Sequence, residues 1–313
     1  GIGDLCPTTG GVYAGPGEGA RLRPGDLLVV DEAGMLDQDT ARALLTVADE
    51  CRVRVALLGD RHQLAAVGRG GVLDLAAAQV DLTGHLTLDG VHRFTRTDAT
   101  GATTPDSDYA ELTLAMRAGE NPGTVFDTLL ARGQIRLHPD AQALRKELAA
   151  TAAQCYTAGE RVAVVVAIRE QAAALNAAIR DRLVTDGRVD DRRVVVTGAG
   201  ERIGVGDRIA TRRNDRDLQV ANRDVWTVTG VDRDGGLLVT PDRTPHVTPA
   251  SGGSAAVTPA VPPAGNRARV LPADYVTAHV ELAYATTAHG IQGDTVTAAH
   301  LVVGEDTGAA AAY

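Results

Sequence analysis

Residues 27–36 read LLVVDEAGML, four apolar residues that run without alternation into an adjacent acidic pair, Asp31 and Glu32. An unbroken β-favouring run is the pattern of a strand buried on both faces of a parallel sheet. Such a strand releases its carboxylates at its C-terminal edge, where open α/β sheets bind ligands. Two acids there suit a metal ion and the phosphates of a nucleotide, with Asp31 on Mg²⁺ and Glu32 polarising an attacking water. An ordinary strand followed by an acidic turn would carry the same short pattern, so the segments downstream have to decide between the two.

The next segment repeats the arrangement. Asp39 or Thr40 is placed to cap a helix over roughly residues 40 to 51, and VRVALLGD then gives a second apolar strand, ending at Gly59 and Asp60 and continuing as RHQLAAVGRGG. A strand-helix-strand unit whose strands both end in acidic, glycine-punctuated loops sets Asp31, Glu32, Asp60 and Gln63 along one rim. At such a rim a glutamine a few residues past the strand can touch a γ-phosphate. A solvated loop glutamine is the plainer reading of Gln63 by itself.

Composition limits the remaining possibilities. A chain of 313 residues with 44% hydrophobic content can bury a sizeable core divided into two or three units. No apolar run reaches the roughly 18 residues of a membrane span, and no signal-peptide pattern opens the chain, so a soluble cytoplasmic protein without membrane partners is expected. Cys6, Cys51 and Cys155 are far apart and have no metal-ligand spacing. The formal charge of −9 argues against a wholly basic surface and leaves room for a local basic groove. The basic residues are arginines except for Lys146, which lies in the helical pattern LRKELAA. A P-loop needs Gly-x-x-x-x-Gly-Lys followed by Ser or Thr, and the sequence contains none, despite its glycine-rich first 25 residues.

VVDEAGML, LLGDRHQLAAVGRGG about 25 residues on, and then LDGVHRF resemble, in order, motifs II, III and IV of superfamily 1 DNA helicases. The nearest branch holds the helicase half of conjugative relaxases and the helicase subunit of bacterial recombination nucleases. ELAYATTAHGIQGDTV resembles motif V of the same branch. The resemblance implies ATP and Mg²⁺ as cofactors and single-stranded DNA as partner, with relaxosome or other conjugation proteins as further partners. It gives Asp31 and Glu32 to Mg²⁺ and water, Gln63 to the γ-phosphate, and Arg93 to the charge on the transferring phosphoryl group. It also sets Asp60, Gln292, Gly293 and Asp294 near the nucleotide and Thr286, Thr287 and His289 on the DNA backbone. The basic residue common after the histidine is Gly290 here.

The fold expected is α/β, with two RecA-like parallel-sheet lobes, the first incomplete, and a small SH3-like β insertion. Residues 1–92 form the partial first lobe, 93–201 open the second, 202–272 form the insertion with a disordered loop at 241–269, and 273–313 complete the second lobe. Between residues 97 and 201 the patterns predict a polar linker, helices over roughly 108–119 and 141–157 separated by a turn and a short strand near GQIRLHP, a buried strand at 162–168, and a helix after it. The insertion shows Asp-Gly-Gly at a hairpin position in VWTVTGVDRDGGLLVT. There Arg208, Arg212, Arg213, Arg216 and Arg223 are candidates for phosphate, Arg212 and Arg213 foremost. Asp207, Asp215, Asp217 and Asp224 alternate with them, so a salt-bridged surface is the competing reading. Trp226 reads as core.

The chain reads as an internal fragment of a longer helicase, with motif I before Gly1 and motif VI after Tyr313. Alone it is expected to lack significant ATPase activity. A non-catalytic DNA-binding remnant and a recombination-repair helicase are the alternatives.

Overall fold

The computed structural model describes residues 19, 21–64, 66, 69–88, 94–97, 100–242, 268–291 and 296–304. Its contacts divide the chain into two compact units, residues 1–120 and 121–312.

In the first unit, β1 (Leu27–Val30) leads through a single 3₁₀ turn (Ala33–Met35) to α1 (Gln38–Cys51), β2 (Arg54–Leu57) and α2 (Val72–Gln79). A hairpin of β3 (Thr95–Thr97) and β4 (Thr103–Pro105) and then α3 (Ser107–Ala118) follow. β1 and β2 pair in parallel with Leu27 opposite Arg54 and Val30 opposite Leu57, as a strand-helix-strand unit requires. The helix start differs from the sequence expectation: Asp37, rather than Asp39 or Thr40, caps α1, accepting from the Thr40 backbone N–H and hydroxyl, both at 2.8 Å. These bonds hold the Asp37 carboxyl below its ordinary range. The expectation of β1 buried on both faces is also corrected. Leu28 and Val30 are half-buried, whereas Leu27 and Val29 are 51% and 52% exposed, because the described residues cover only one face of a two-stranded sheet.

The boundary between units falls after Glu120, later than the motif-based division at 92/93. α3 accounts for the shift. Tyr109 packs edge-on against Phe94 with ring centroids 4.8 Å apart, and Arg117 pairs with Asp60 at 3.5 Å, so the helix belongs with the first sheet.

The second unit begins with α4 (Pro122–Ala131), α5 (Ala141–Ala158), β5 (Val162–Val166) and α6 (Arg169–Thr185). α4 was not foreseen, although Pro122 at its first turn is a start signal. The short strand expected near GQIRLHP is absent: residues 134–138 have no strand partner and form an irregular link. β6 (Val194–Val196) and β7 (Arg202–Gly204) make a hairpin; β8 (Arg208–Thr211), β9 (Val225–Val231), β10 (Leu237–Pro241) and β11 (Arg269–Leu271) follow. The chain then forms α7 (Ala273–His279), β12 (Val280–Leu282), β13 (Thr286–Thr287), α8 (Ala288–Ile291) and β14 (Ala298–Leu301).

Two sheets organise this unit. One is parallel, ordered β13-β5-β14, with every residue of β5 buried. The other is antiparallel, ordered β11-β10-β9-β8-β12, and is not closed into a barrel among the described residues. Its β9–β10 hairpin turns at Asp232–Gly236, with Gly235 at φ +87°, a conformation that favours glycine. Trp226 is buried with Val228, Leu237 and Val239 in the core, as its alternating context implies. The expected loop at 241–269 lies, between 243 and 267, outside the described residues, as do residues 1–18.

Candidate nucleotide and nucleic-acid sites

In the first unit the candidate residues Asp31, Glu32, Asp60 and Gln63 lie on turns at one sheet edge. Because β1 and β2 are parallel and in register, the turns carrying Asp31–Glu32 and Asp60–Gln63 emerge side by side. The ladder continues into them: the Leu58 N–H donates to Val30 O and the Ala33 N–H to Leu58 O, both at 2.8 Å. Two glycines permit this approach. A Cβ on Gly59 would come within 3.0 Å of Ala33 N and 3.2 Å of Gly34 N, and one on Gly34 within 3.1 Å of Asp60 O. The turns are therefore in backbone contact.

Asp31 is exposed, and its Oδ1 accepts the Glu32 N–H at 2.9 Å. Glu32 has φ 51° and ψ 38°, the left-handed region that a side chain other than Gly, Asn or Asp rarely occupies. A non-glycine residue held there costs on the order of 1 kcal/mol or more, and such residues cluster where a side chain must be aimed. Asp60 Oδ1 accepts the His62 N–H at 2.9 Å, Asp60 O accepts the Gln63 N–H at 3.3 Å, and Gln63 is half-buried. Arg117 had no sequence signal beyond its place in the last turn of α3, yet its guanidinium lies 3.5 Å from Asp60 Oδ1. It is a cation at the acidic edge that motif spacing could not find.

Among the described residues no group of three or more His, Cys, Asp or Glu side chains could cage a metal. A single exposed carboxylate such as Asp31 fits Mg²⁺, which keeps several waters and is bound by one or two carboxylates together with substrate phosphates. Arg93, Gln292, Gly293 and Asp294 lie outside the described residues.

In the second unit Thr286 and Thr287 form β13, opposite Val165 and Val166, at the C-terminal end of β5; His289 follows on α8, and all three are half-buried. Gly290 packs its Cα against Thr286: a Cβ there would collide with the threonine hydroxyl, which rules out a larger residue at that position without displacing Thr286.

Arg212 and Arg213 lie elsewhere. In the β8–β12 ladder Thr211 is opposite Val280 and Ile209 opposite Leu282. The two arginines therefore leave one end of the ladder, while the chain runs from the other end toward Thr286. Arg212 pairs with Glu281 at 3.4 Å, and Arg213 Nη1 meets His279 Nε2 at 3.1 Å. The alternating acids do not form a uniform salt-bridged surface either. Asp207 is fully buried against Arg180. Asp215 accepts the N–H groups of Asp217 and Leu218, and Asp224 that of Ala221, so both shape the 212–224 loop. Arg208 pairs with Asp242 at 2.6 Å over the Tyr156 ring. Arg213, Arg216 and Arg223 are exposed on the loop, with Gln219 at φ 56° and Arg223 at φ 72°.

A buried polar cluster joins the elements around residue 284. Asp207 accepts from Arg180 Nε at 2.8 Å, from the Gly204 N–H at 2.7 Å and from the Tyr284 hydroxyl at 2.8 Å. Arg180 Nη2 also lies 2.9 Å from Asp191 Oδ1, an ion pair without hydrogen-bond alignment. Burial pushes the Asp207 carboxyl up, against the bonds it accepts, and pushes the Tyr284 phenol well up.

Comparison with known proteins agrees with this architecture. Residues 3–140 match the AAA domain family, and no curated protein matches. Among solved structures, the Pif1 helicase from Bacteroides in complex with ADP-AlF3 and ssDNA is 14% identical, with a TM-score of 0.53 over 97% of this chain and 71% of that one. The Pif1 helicase from Candida albicans is 14% identical, with a TM-score of 0.49 over 88% of this chain and 65% of that one. A structure of two coordinating Pif1 helicases on forked dsDNA is 14% identical, with a TM-score of 0.47 over 88% of this chain; the chain spans 62% of that relative's length. The likeness is one of fold: the chain is a mixed α/β protein with parallel sheets, similar to the RecA-like Pif1 helicases, and its first 140 residues carry the AAA-domain pattern.

Proposed function

We propose that the chain is part of the motor region of a superfamily 1 DNA helicase, a class of protein that translocates on single-stranded DNA at the expense of ATP, acting in the cytoplasm. The observation that carries this reading is the pair of acid-bearing turns in backbone contact at one parallel-sheet edge, with Glu32 in a left-handed conformation. Mg²⁺, bound with the nucleotide, would neutralise charge on its outer phosphates. Asp31 would hold that ion from the exposed turn, and Glu32 would orient water. Gln63 would contact the γ-phosphate, and Asp60, paired with Arg117, would border the nucleotide. By the motif resemblance Arg93, Gln292, Gly293 and Asp294 would serve the nucleotide, and Thr286, Thr287, His289, Arg212 and Arg213 would serve DNA phosphates. The branch resemblance puts its setting in conjugative DNA transfer, with relaxosome proteins as partners, and a recombination-repair helicase is the alternative.

Hydrolysis needs a phosphate cradle, and this sequence has no P-loop lysine. The 313-residue chain is accordingly expected to bind a fluorescein-labelled oligo-dT with affinity that falls steeply with salt, and to show no DNA-stimulated hydrolysis of Mg-ATP. Absence of DNA binding would refute the helicase reading, and robust turnover would refute the assignment of the missing cradle.

A further inference from the structure

Thr286, Thr287 and His289 sit at the end of a connector that no sheet ladder holds. Residues 284 and 285 lie between β12 and β13, where their backbone groups need partners from elsewhere. Three of those four groups find their partner in one side chain on α6. Asn176 Oδ1 accepts the Tyr284 N–H at 2.9 Å and the Ala285 N–H at 2.7 Å. Its Nδ2 donates to Leu282 O at 3.0 Å and to Ala285 O at 3.2 Å. The amide is 97% buried, its relative exposure being 3%, and four of its bonds go to a segment more than a hundred residues later.

An asparagine in a helix interior is a poor helix former and a poor core residue, so packing does not explain it. Its bonds fix the peptide planes of 284 and 285, and those planes set how β13 enters its pairing with Val165 and Val166. The remaining polar groups of Tyr284 are fixed too: its carbonyl accepts from the Tyr156 hydroxyl at 2.9 Å, and its hydroxyl donates to Asp207. Residue 284 is thereby tied to α5, to α6 and to the turn that precedes β8.

We infer that Asn176 is a positioning residue for nucleic acid: its amide locks the 282–285 backbone and so sets Thr286, Thr287 and His289 against a DNA phosphate. This rests on the DNA reading of that segment given above. The test uses the full chain carrying Asn176→Ala, with Val228→Ala as a control that opens the same core and removes none of the Asn176 bonds to the connector. Hydrogen exchange at the Tyr284 and Ala285 amides should accelerate about tenfold or more in N176A and not in V228A. Affinity for labelled oligo-dT should fall about tenfold in N176A, and its loss should be non-additive with that of Thr287→Ala. Where N176A does not fold, Asn176→Ser, which leaves a neutral hydroxyl in the site and removes the amide fork, carries the same comparison with smaller effects.

Unchanged exchange at 284 and 285 would overturn the inference. So would faster exchange with unchanged DNA affinity. DNA binding that T286A and T287A weaken but N176A leaves intact sinks this inference alone, whereas a wild-type chain that does not bind the oligonucleotide sinks the DNA reading and this inference with it.

Discussion

The Glu201 carboxyl gives the chain a pH-dependent stability whose sign follows from its surroundings. It accepts the Leu282 N–H at 3.0 Å, and burial, with lesser contributions from the Glu281 and Asp207 charges, raises it from 4.5 to about 7. The Leu282 bond pulls the other way and does not win. Because the folded value exceeds the unfolded one, the folded state holds the proton more tightly. The stability this confers is complete below about pH 4.5 and is lost as pH rises through 7. At about 1.4 kcal/mol per unit the full shift would correspond to roughly 3 kcal/mol, and partial exposure of the carboxyl reduces this to about 1–2 kcal/mol.

Glu201→Gln keeps an oxygen for the Leu282 N–H and abolishes the titration. Urea unfolding from pH 4.5 to 8 should show wild type and E201Q nearly equal at the acid end. The variant should then gain about 1–2 kcal/mol on wild type by pH 8. The variant-minus-wild-type difference isolates this group from histidines and other carboxylates titrating in the same window. A difference that stays flat across the range, or grows toward acid, would refute the reasoning.

Further perturbations test other parts of the structure. Asp207→Ala strips Arg180, Gly204 and Tyr284 of a shared buried acceptor and should cost about 3–5 kcal/mol in urea unfolding; a loss below 1 kcal/mol would contradict the burial. Gly290→Ala drives a methyl group into the Thr286 hydroxyl, and β-branching leaves Thr286 little room to turn away. A loss of about 1–3 kcal/mol and weaker oligo-dT binding are expected, checked by thermal unfolding and fluorescence anisotropy. Arg223→Gly relieves a left-handed arginine, so the melting temperature should hold or rise slightly. If Arg223 holds a phosphate, the salt dependence of oligo-dT binding should lose about one unit of slope at the same time, and an unchanged slope would place Arg223 outside the DNA path.

What the sequence revealed about the fold follows from which signals are local. The run 27–30, the run 162–166 and the Asp-Gly-Gly turn each specify their own conformation, and β1, β5 and the β9–β10 hairpin form where they stand. Helix bounds followed caps: Asp106 and Asp140 at the starts and Gly119 and Gly159 at the ends bracket α3 and α5 within a residue or two of expectation. What failed was decided by partners. GQIRLHP has strand-like residues and pairs with no strand among the described residues, and 27–30 has the composition of a doubly buried strand while the described residues cover one face. α3 joined the first unit through Phe94, Tyr109, Arg117 and Asp60, contacts between residues that no periodicity links.

The candidate site divides along the same line. Asp31, Glu32, Asp60 and Gln63 could be named because motif spacing encodes which residues follow a parallel strand, and the parallel register then brings their turns together. The groups that hold those turns leave no such trace. Gly34 and Gly59 read as loop punctuation until the backbone atoms they admit are seen, Glu32 shows nothing of its left-handed φ, and Arg117 and Asn176 look like ordinary helix residues. Chemistry-bearing side chains come in patterns because a reaction needs several of them near one strand end. The residues that support them can sit anywhere the fold brings within about 3 Å, so a single sequence discloses candidates for such a set before it discloses their supports.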